Sequence, residues 1–171
     1  MRRLIIFLTL VLLFALPSAT TQAQSQTYTS DKVEFTLELP SPIWRMISEP
    51  DGINRHAEFI NGERSDGYLQ IHKEIVDAGN TPADLSRRNR DQKLHFLPGY
   101  VEGKEEKFAG RLSGVTFSYE FTSGGKPMLG RIYYLQADNR TIYTLRFTGS
   151  RDKLARIRNQ TDLIARSFSL K

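Results

Sequence analysis

Residues 131–149 read RIYYLQADNRTIYTLRFTG, and the alternation within them decides the fold class. Tyr133, Leu135 and Ala137 share one parity before Asp138-Asn139. Tyr143, Leu145 and Phe147 share one parity after it. Apolar side chains two residues apart mark strands with a buried face, and Asp-Asn is a pair that tolerates positive φ in a tight turn. The stretch therefore predicts a β-hairpin. Ile132, Tyr134 and Ile142 occupy the opposite parity and are also apolar, so the sheet is expected to need cover on both faces.

Working outward, the alternation continues on the N-terminal side. Val115, Phe117, Tyr119 and Phe121 form one face of a preceding strand, and TSGGKP turns the chain into the hairpin. YVEGKEEKFAG, residues 100–110, reads as a polar strand. Val33, Phe35, Leu37 and Leu39 alternate up to Pro40. SPIWRMI, His56–Asn61 and GYLQIHKEIV follow as three more strands, the last with Leu69, Ile71 and Ile75 on one parity.

Two segments change period. Thr81-Pro82 with Asp84 is a helix start, combining an N-cap hydroxyl, an early proline and an acid at the third position. That helix is predicted to run to about Phe96, with Leu85, Leu94, Phe96 and Leu97 as its apolar face. A closing helix is predicted from Ser150 as N-cap, with Leu154, Ile157, Thr161, Ile164 and Phe168 as one stripe. Arg151, Arg158, Asp162 and Arg166 lie away from that stripe.

The N-terminus has another character. Arg2 and Arg3 precede the apolar run Leu4–Leu16, and small residues follow. Such a run is shorter than the roughly 20 residues that span a bilayer, and the pattern is that of a secretory signal peptide, with cleavage expected after Ala23 and retention as an anchor the alternative. Residues 24–30 are expected to form a linker, and 31–171 a single domain. The chain has no cysteine, so disulfides, thiol chemistry and a cysteine lipid anchor are excluded. Loss of Arg2 and Arg3 takes the formal charge from +5 to +3, which permits attraction to an anionic surface without requiring nucleic acid.

The sequence offers no assembled chemistry. His56, His72 and His95 are widely separated, and no serine sits in a Gly-x-Ser-x-Gly turn. His72 and Glu74 share a strand face and are the nearest approach to a metal or acid–base pair. Glu105 and Glu106 are adjacent and must face opposite sides of a strand. SGGK lacks the spacing of a phosphate-binding loop, so no cofactor is expected. Basic residues are the remaining feature: Arg87, Arg88 and Arg90 on the first helix and Arg151, Arg158 and Arg166 on the last are a candidate anion or partner patch. The aromatics lie in phase with the core and are not interleaved with these charges, so nucleic acid is not expected.

The strand–proline–tryptophan opening VEFTLELPSPIW, the LPGY at Leu97–Tyr100, and the final hairpin, closing helix and Ser-Phe ending together resemble the PsbP-like and DcrB-like exported proteins. The resemblance implies an α+β fold with a central antiparallel sheet flanked by helices on both faces, an α/β/α sandwich. It carries no catalytic residues and implies accessory or binding roles. The expectation is an exported, non-enzymatic envelope protein with a protein partner. A periplasmic enzyme using His72 and Glu74, or a module that binds anionic lipid or polymer, is the alternative. Ligand and oligomeric state stay open.

Overall fold

The computed structural model describes residues 25–51 and 56–171, so the expected signal segment lies outside the described residues. Strands β1 (Gln26–Tyr28), β2 (Phe35–Leu39), β3 (Trp44–Ser48), β4 (Ala57–Asn61) and β5 (Tyr68–Ile75) precede helix α1 (Pro82–Gln92) and a 3₁₀ turn at Leu94–Phe96. Strands β6 (Val101–Ala109), β7 (Ser113–Ser123), β8 (Lys126–Gln136) and β9 (Thr141–Ser150) follow. Helices α2 (Arg151–Arg156) and α3 (Arg158–Ser167) and strand β10 (Ser169–Leu170) complete the chain. The fold is α+β. A seven-stranded sheet runs β3-β4-β5-β9-β8-β7-β6 with every pair antiparallel, and a small sheet runs β1-β2-β10. Gln26–Tyr28, within the stretch expected to be linker, is thus tied to Leu37–Leu39 by a strand ladder.

The 131–149 hairpin forms as β8–β9, with Tyr133 opposite Leu145 and Tyr134 opposite Thr144. Its alternation divides two cores. Tyr133, Leu135, Tyr143, Leu145 and Phe147 join Leu69, Ile71, the small-sheet residues Phe35, Leu37 and Leu39, and Leu154, Ile164 and Ala165 of α2 and α3. Ile132, Tyr134 and Ile142 join Phe117, Tyr119, Leu85 of α1 and Leu94 of the 3₁₀ turn. Burying each such side chain contributes about 1.5–3 kcal/mol, so the two clusters hold the fold without disulfides.

Several local expectations are corrected. The Asp138-Asn139 turn uses no positive φ; the Asp138 carboxylate accepts from the Arg140 amide at 2.8 Å instead, an Asx turn that leaves the backbone relaxed. Ser150 precedes α2 but makes no side-chain cap bond. The closing helix breaks between α2 and α3, where Ile157 packs onto Gly67 so closely that a β-carbon there would lie 2.8 Å from its Cδ1. Phe96 is 75% exposed, because the 3₁₀ turn changes the angular step and only Leu94 reaches the core. Ile75 shares the parity of Leu69 and Ile71 but pairs with Thr141 at the end of β9, outside the core cluster, and is 65% exposed. The Thr81 cap forms as expected, with Asp84 closing the capping box.

Candidate functional site

The β4–β5 hairpin assembles what the sequence keeps apart. Ala57 pairs with Ile71, so the next step outward sets His56 across from His72. Their rings lie 3.4 Å apart between centroids, tilted by 44°. The histidines are therefore not all separate, as their sequence spacing suggested; His95 alone stands apart, against Phe96 and Tyr100. His56 Nδ1 is buried without a hydrogen-bond partner among the described residues.

A polar strip extends from this pair across the same face of the sheet. Gln70 Nε2 donates to Glu58 at 3.2 Å, and Arg64 donates to the same carboxylate at 3.4 Å while lying over the Tyr68 ring. Thr144 Oγ1 donates to Glu74 at 3.2 Å, and Arg88 stands 4.0 Å from the other Glu74 oxygen. Arg146 Nε donates to the Tyr119 hydroxyl at 3.1 Å. Burial would raise the Glu58 pKa, but hydrogen bonds from Tyr68 and Gln70 and the charges of Arg64 and His56 outweigh it and hold the carboxyl below its usual range. Burial, together with the Glu58 charge, pushes Tyr68 up to about 12.

His72 is pulled down to about 4, first by burial and then by the positive charges of His56, Lys93 and Arg146. At neutral pH its imidazole is uncharged and too weakly basic to be a good general base, a role that favours a pKa near the working pH. Among the described residues, no group of three His, Cys, Asp or Glu side chains could hold a metal ion. The His72/Glu74 pair thus sets an uncharged imidazole on the same strand face as a carboxylate that accepts from Thr144.

The displaced His72 has a consequence for stability. Its folded pKa, about 4, lies below the unfolded value near 6.5, so the unfolded chain takes up the proton first as pH falls. The stabilisation is complete above about pH 6.5 and is lost on the way down to about 4. The difference sets a ceiling of about 3 kcal/mol, which solvent screening of a partly exposed ring reduces to roughly 1–2 kcal/mol. His72→Gln should remove that pH dependence: the stability difference between the two proteins, from urea unfolding at pH 7 and pH 4.5, should change by this amount. Parallel pH profiles would refute the assignment.

The arginines named as a candidate anion or partner patch lie on α1, α2 and α3, each with a local partner. Arg87 pairs with Asp84, Arg88 with Glu74, and Arg90 with Glu102 and Glu105 while lying over Phe117. Arg151 pairs with Glu120, Arg158 with Glu106, and Arg166 donates to the Ala109 carbonyl. Glu105 also accepts from Ser86 on the α1 side, whereas Glu106 meets Arg158 on α3.

One cluster has no counterpart in the sequence reading. Arg131 Nε donates to the Tyr133 hydroxyl at 2.6 Å and Arg131 Nη2 to Asp162 at 3.0 Å; Tyr133 also donates to Asp162 and lies 3.0 Å from Thr161 Oγ1. Asp162, expected to lie away from the apolar stripe, is the carboxylate of a half-buried network. Burial raises the Tyr133 pKa, against the opposing charge of Arg131. The available signal was the shared parity of Arg131 and Tyr133 on β8 and the position of Asp162 beside the stripe residue Thr161.

No family model and no curated protein sequence matches the chain. Solved structures do. The fold is similar to PsbP (CyanoP) of Synechocystis sp. PCC 6803, with TM-score 0.58, 15% identity, and coverage of 93% of this chain and 99% of that one. It is similar to LpqN of Mycobacterium tuberculosis, a protein involved in cell envelope biogenesis, with TM-score 0.58, 12% identity and coverage of 86% and 91%. It is also similar to the Ran-binding protein Mog1p of Saccharomyces cerevisiae, with TM-score 0.59, 10% identity and coverage of 86% and 96%. Against a Bacteroides thetaiotaomicron protein, at TM-score 0.59 and 12% identity, 88% of the chain aligns but spans only about half, 49%, of the other's length. At such identities the likeness is one of fold: an α+β architecture built on an antiparallel sheet, shared with PsbP and Mog1p.

Proposed function

We propose that this protein is an exported, non-enzymatic binding or accessory module of the cell envelope, and that it docks a protein partner along strand β3. The three-layer α/β/α arrangement is part of the reading. Its support is that α1 packs Leu85 into one core cluster while α2 and α3 pack Leu154, Ile164 and Ala165 into the other. Cleavage after Ala23 is also part of it, and sequencing of the exported protein should begin at Gln24.

The carrying observation is an asymmetry between the two sheet edges. The β6 edge is guarded by Glu102, Lys104, Glu105, Glu106 and Lys107, charges that discourage strand addition. The β3 edge is less guarded: its one charged residue is Arg45, which donates to the Gly62 carbonyl at 3.3 Å, while Ile43, Met46 and Ile47 are exposed on or beside it. An open edge with apolar side chains is the surface on which an extended segment adds main-chain hydrogen bonds and fills pockets. A groove of about 300 Å³ runs alongside, with Tyr28, Leu39, Pro42, Trp44 and Met46 as its apolar part and Gln26, Thr27 and Arg45 as its polar part. LpqN, itself tied to cell envelope biogenesis, and Mog1p, itself Ran-binding, support a binding role for this architecture.

The test is crosslinking in envelope extract. The wild-type protein should capture a reproducible partner, and the double variant Met46→Glu, Ile47→Glu should lose it by about ten-fold or more while keeping its circular dichroism spectrum. Undiminished capture by the variant would refute the β3 assignment. Turnover of a substrate that depends on His72, with no partner captured, would refute the non-enzymatic one.

A further inference from the structure

The network around Arg131 opens onto a cavity of about 400 Å³ at the junction of α2 and α3, on the side of the sheet away from the His56–His72 strip. Its size lies within the range of small-molecule sites, about 300–1,000 Å³. The composition is specific. Lys104, Arg131 and Arg158 converge on it from β6, β8 and α3, Ser118 and Thr161 bring hydroxyls, and Leu129, Leu154 and Ala155 form an apolar side. One carboxylate, Glu106, also lines it, 3.7 Å from Arg158.

Arg131 differs from the surface arginines. Its side chain is 11% exposed, and its guanidinium plane is fixed by Tyr133 on one edge and a single Asp162 oxygen on another. A guanidinium has five N–H donors in a rigid fork, and these two bonds use Nε and one Nη. A cation held out of water and met by one carboxylate oxygen attracts a further anion strongly, because little solvent screens it. The three cations exceed Glu106 and Asp162 by one charge, and the leucine side gives an aliphatic group somewhere to lie.

We propose that this cavity binds a small organic oxyanion, a carboxylate or phosphate carried on a short aliphatic body, with Arg131 and Lys104 on the oxyanion and Leu129 and Leu154 on the chain. The site shares no residue with the β3 edge, so it stands or fails independently of the docking reading.

The experiment is titration of the protein with decanoate, decanol and inorganic phosphate, followed by amide chemical shifts. Decanoate should bind saturably, with a Kd of about 1 mM or tighter, shifting Ser118, Arg131 and Thr161 and leaving the β3 residues in place. Decanol and phosphate, each lacking half of the recognition, should bind about ten-fold more weakly or worse. Decanoate affinity should fall as salt rises from about 50 to about 300 mM. The double variant Lys104→Gln, Arg158→Gln alters exposed positions and keeps the Arg131–Asp162 pair; it should weaken decanoate about ten-fold. Absence of saturable decanoate binding, equal affinity for decanol, or unchanged affinity in the variant would each overturn the proposal.

Discussion

Phe147→Ala is expected to lower the unfolding free energy by about 3–5 kcal/mol. Phe147 lies on β9, the middle strand of the seven, and is 0% exposed. Its ring meets Trp44 edge-on at 6.0 Å and Tyr133 at 5.7 Å, and its backbone pairs with Leu69 and Arg131. Antiparallel ladders on both sides fix the strand, so truncation leaves a cavity that the sheet cannot close. Trp44 then loses its packing partner, although its indole N–H still donates to Gln160 at 2.8 Å, which ties the β3 edge to α3. A domain of this size is stable by about 5–15 kcal/mol, and each kcal/mol is worth about 2–4 °C, so thermal melting should drop by roughly 10 °C. Phe147→Leu, which keeps most of the volume, should cost about 1 kcal/mol. A Phe147→Ala protein within about 1 kcal/mol of wild type in urea unfolding would mean that this core is not close-packed.

The hairpin around Asp138-Asn139 was legible because period two leaves little choice of face: Tyr133 and Tyr134 had to part, and they lead the two clusters. The Thr81 cap was legible for a similar reason, since its chemistry is local and involves residues three apart. Exposure at element ends was not. Ile75 and Phe96 obey the pattern of their neighbours, but burial depends on whether another element reaches that far, which no local period encodes. The His56–His72 contact depends on one register, set where the Asn61 amide bonds to the Gly67 carbonyl at 2.8 Å and closes the loop between β4 and β5. Read with that closure, the two histidines fall opposite each other; read as spacing alone, they are sixteen residues apart and unrelated. Arg131, Tyr133 and Asp162 were further from reach. Their meeting requires α3 to lie across β8, a tertiary fact that neither segment carries by itself.

Gly130→Ala should be destabilising by about 2–4 kcal/mol, although it adds a single methyl group. Gly130 pairs across the sheet with Tyr119, whose ring lies flat over it: a β-carbon at 130 would sit 2.1 Å from Tyr119 Cζ and 2.6 Å from its hydroxyl oxygen. Glycine within a strand commonly marks such a close approach. The end of a tyrosine side chain is normally free to move, but this one is held. The ring is 1% exposed, lies between Phe117 and Phe121 at 6.1 and 5.7 Å, and accepts the Arg146 Nε hydrogen bond. Moving it breaks the aromatic row and leaves the Arg146 guanidinium without that acceptor, beside His72, whose pKa it already depresses. The effect should therefore be specific to the pair. In a double-mutant cycle, Tyr119→Leu with Gly130→Ala should lose about 1 kcal/mol or more less than the sum of the single changes. Strict additivity would show that Gly130 matters through its own backbone and not through the ring above it, and the polar strip would then owe nothing to that glycine.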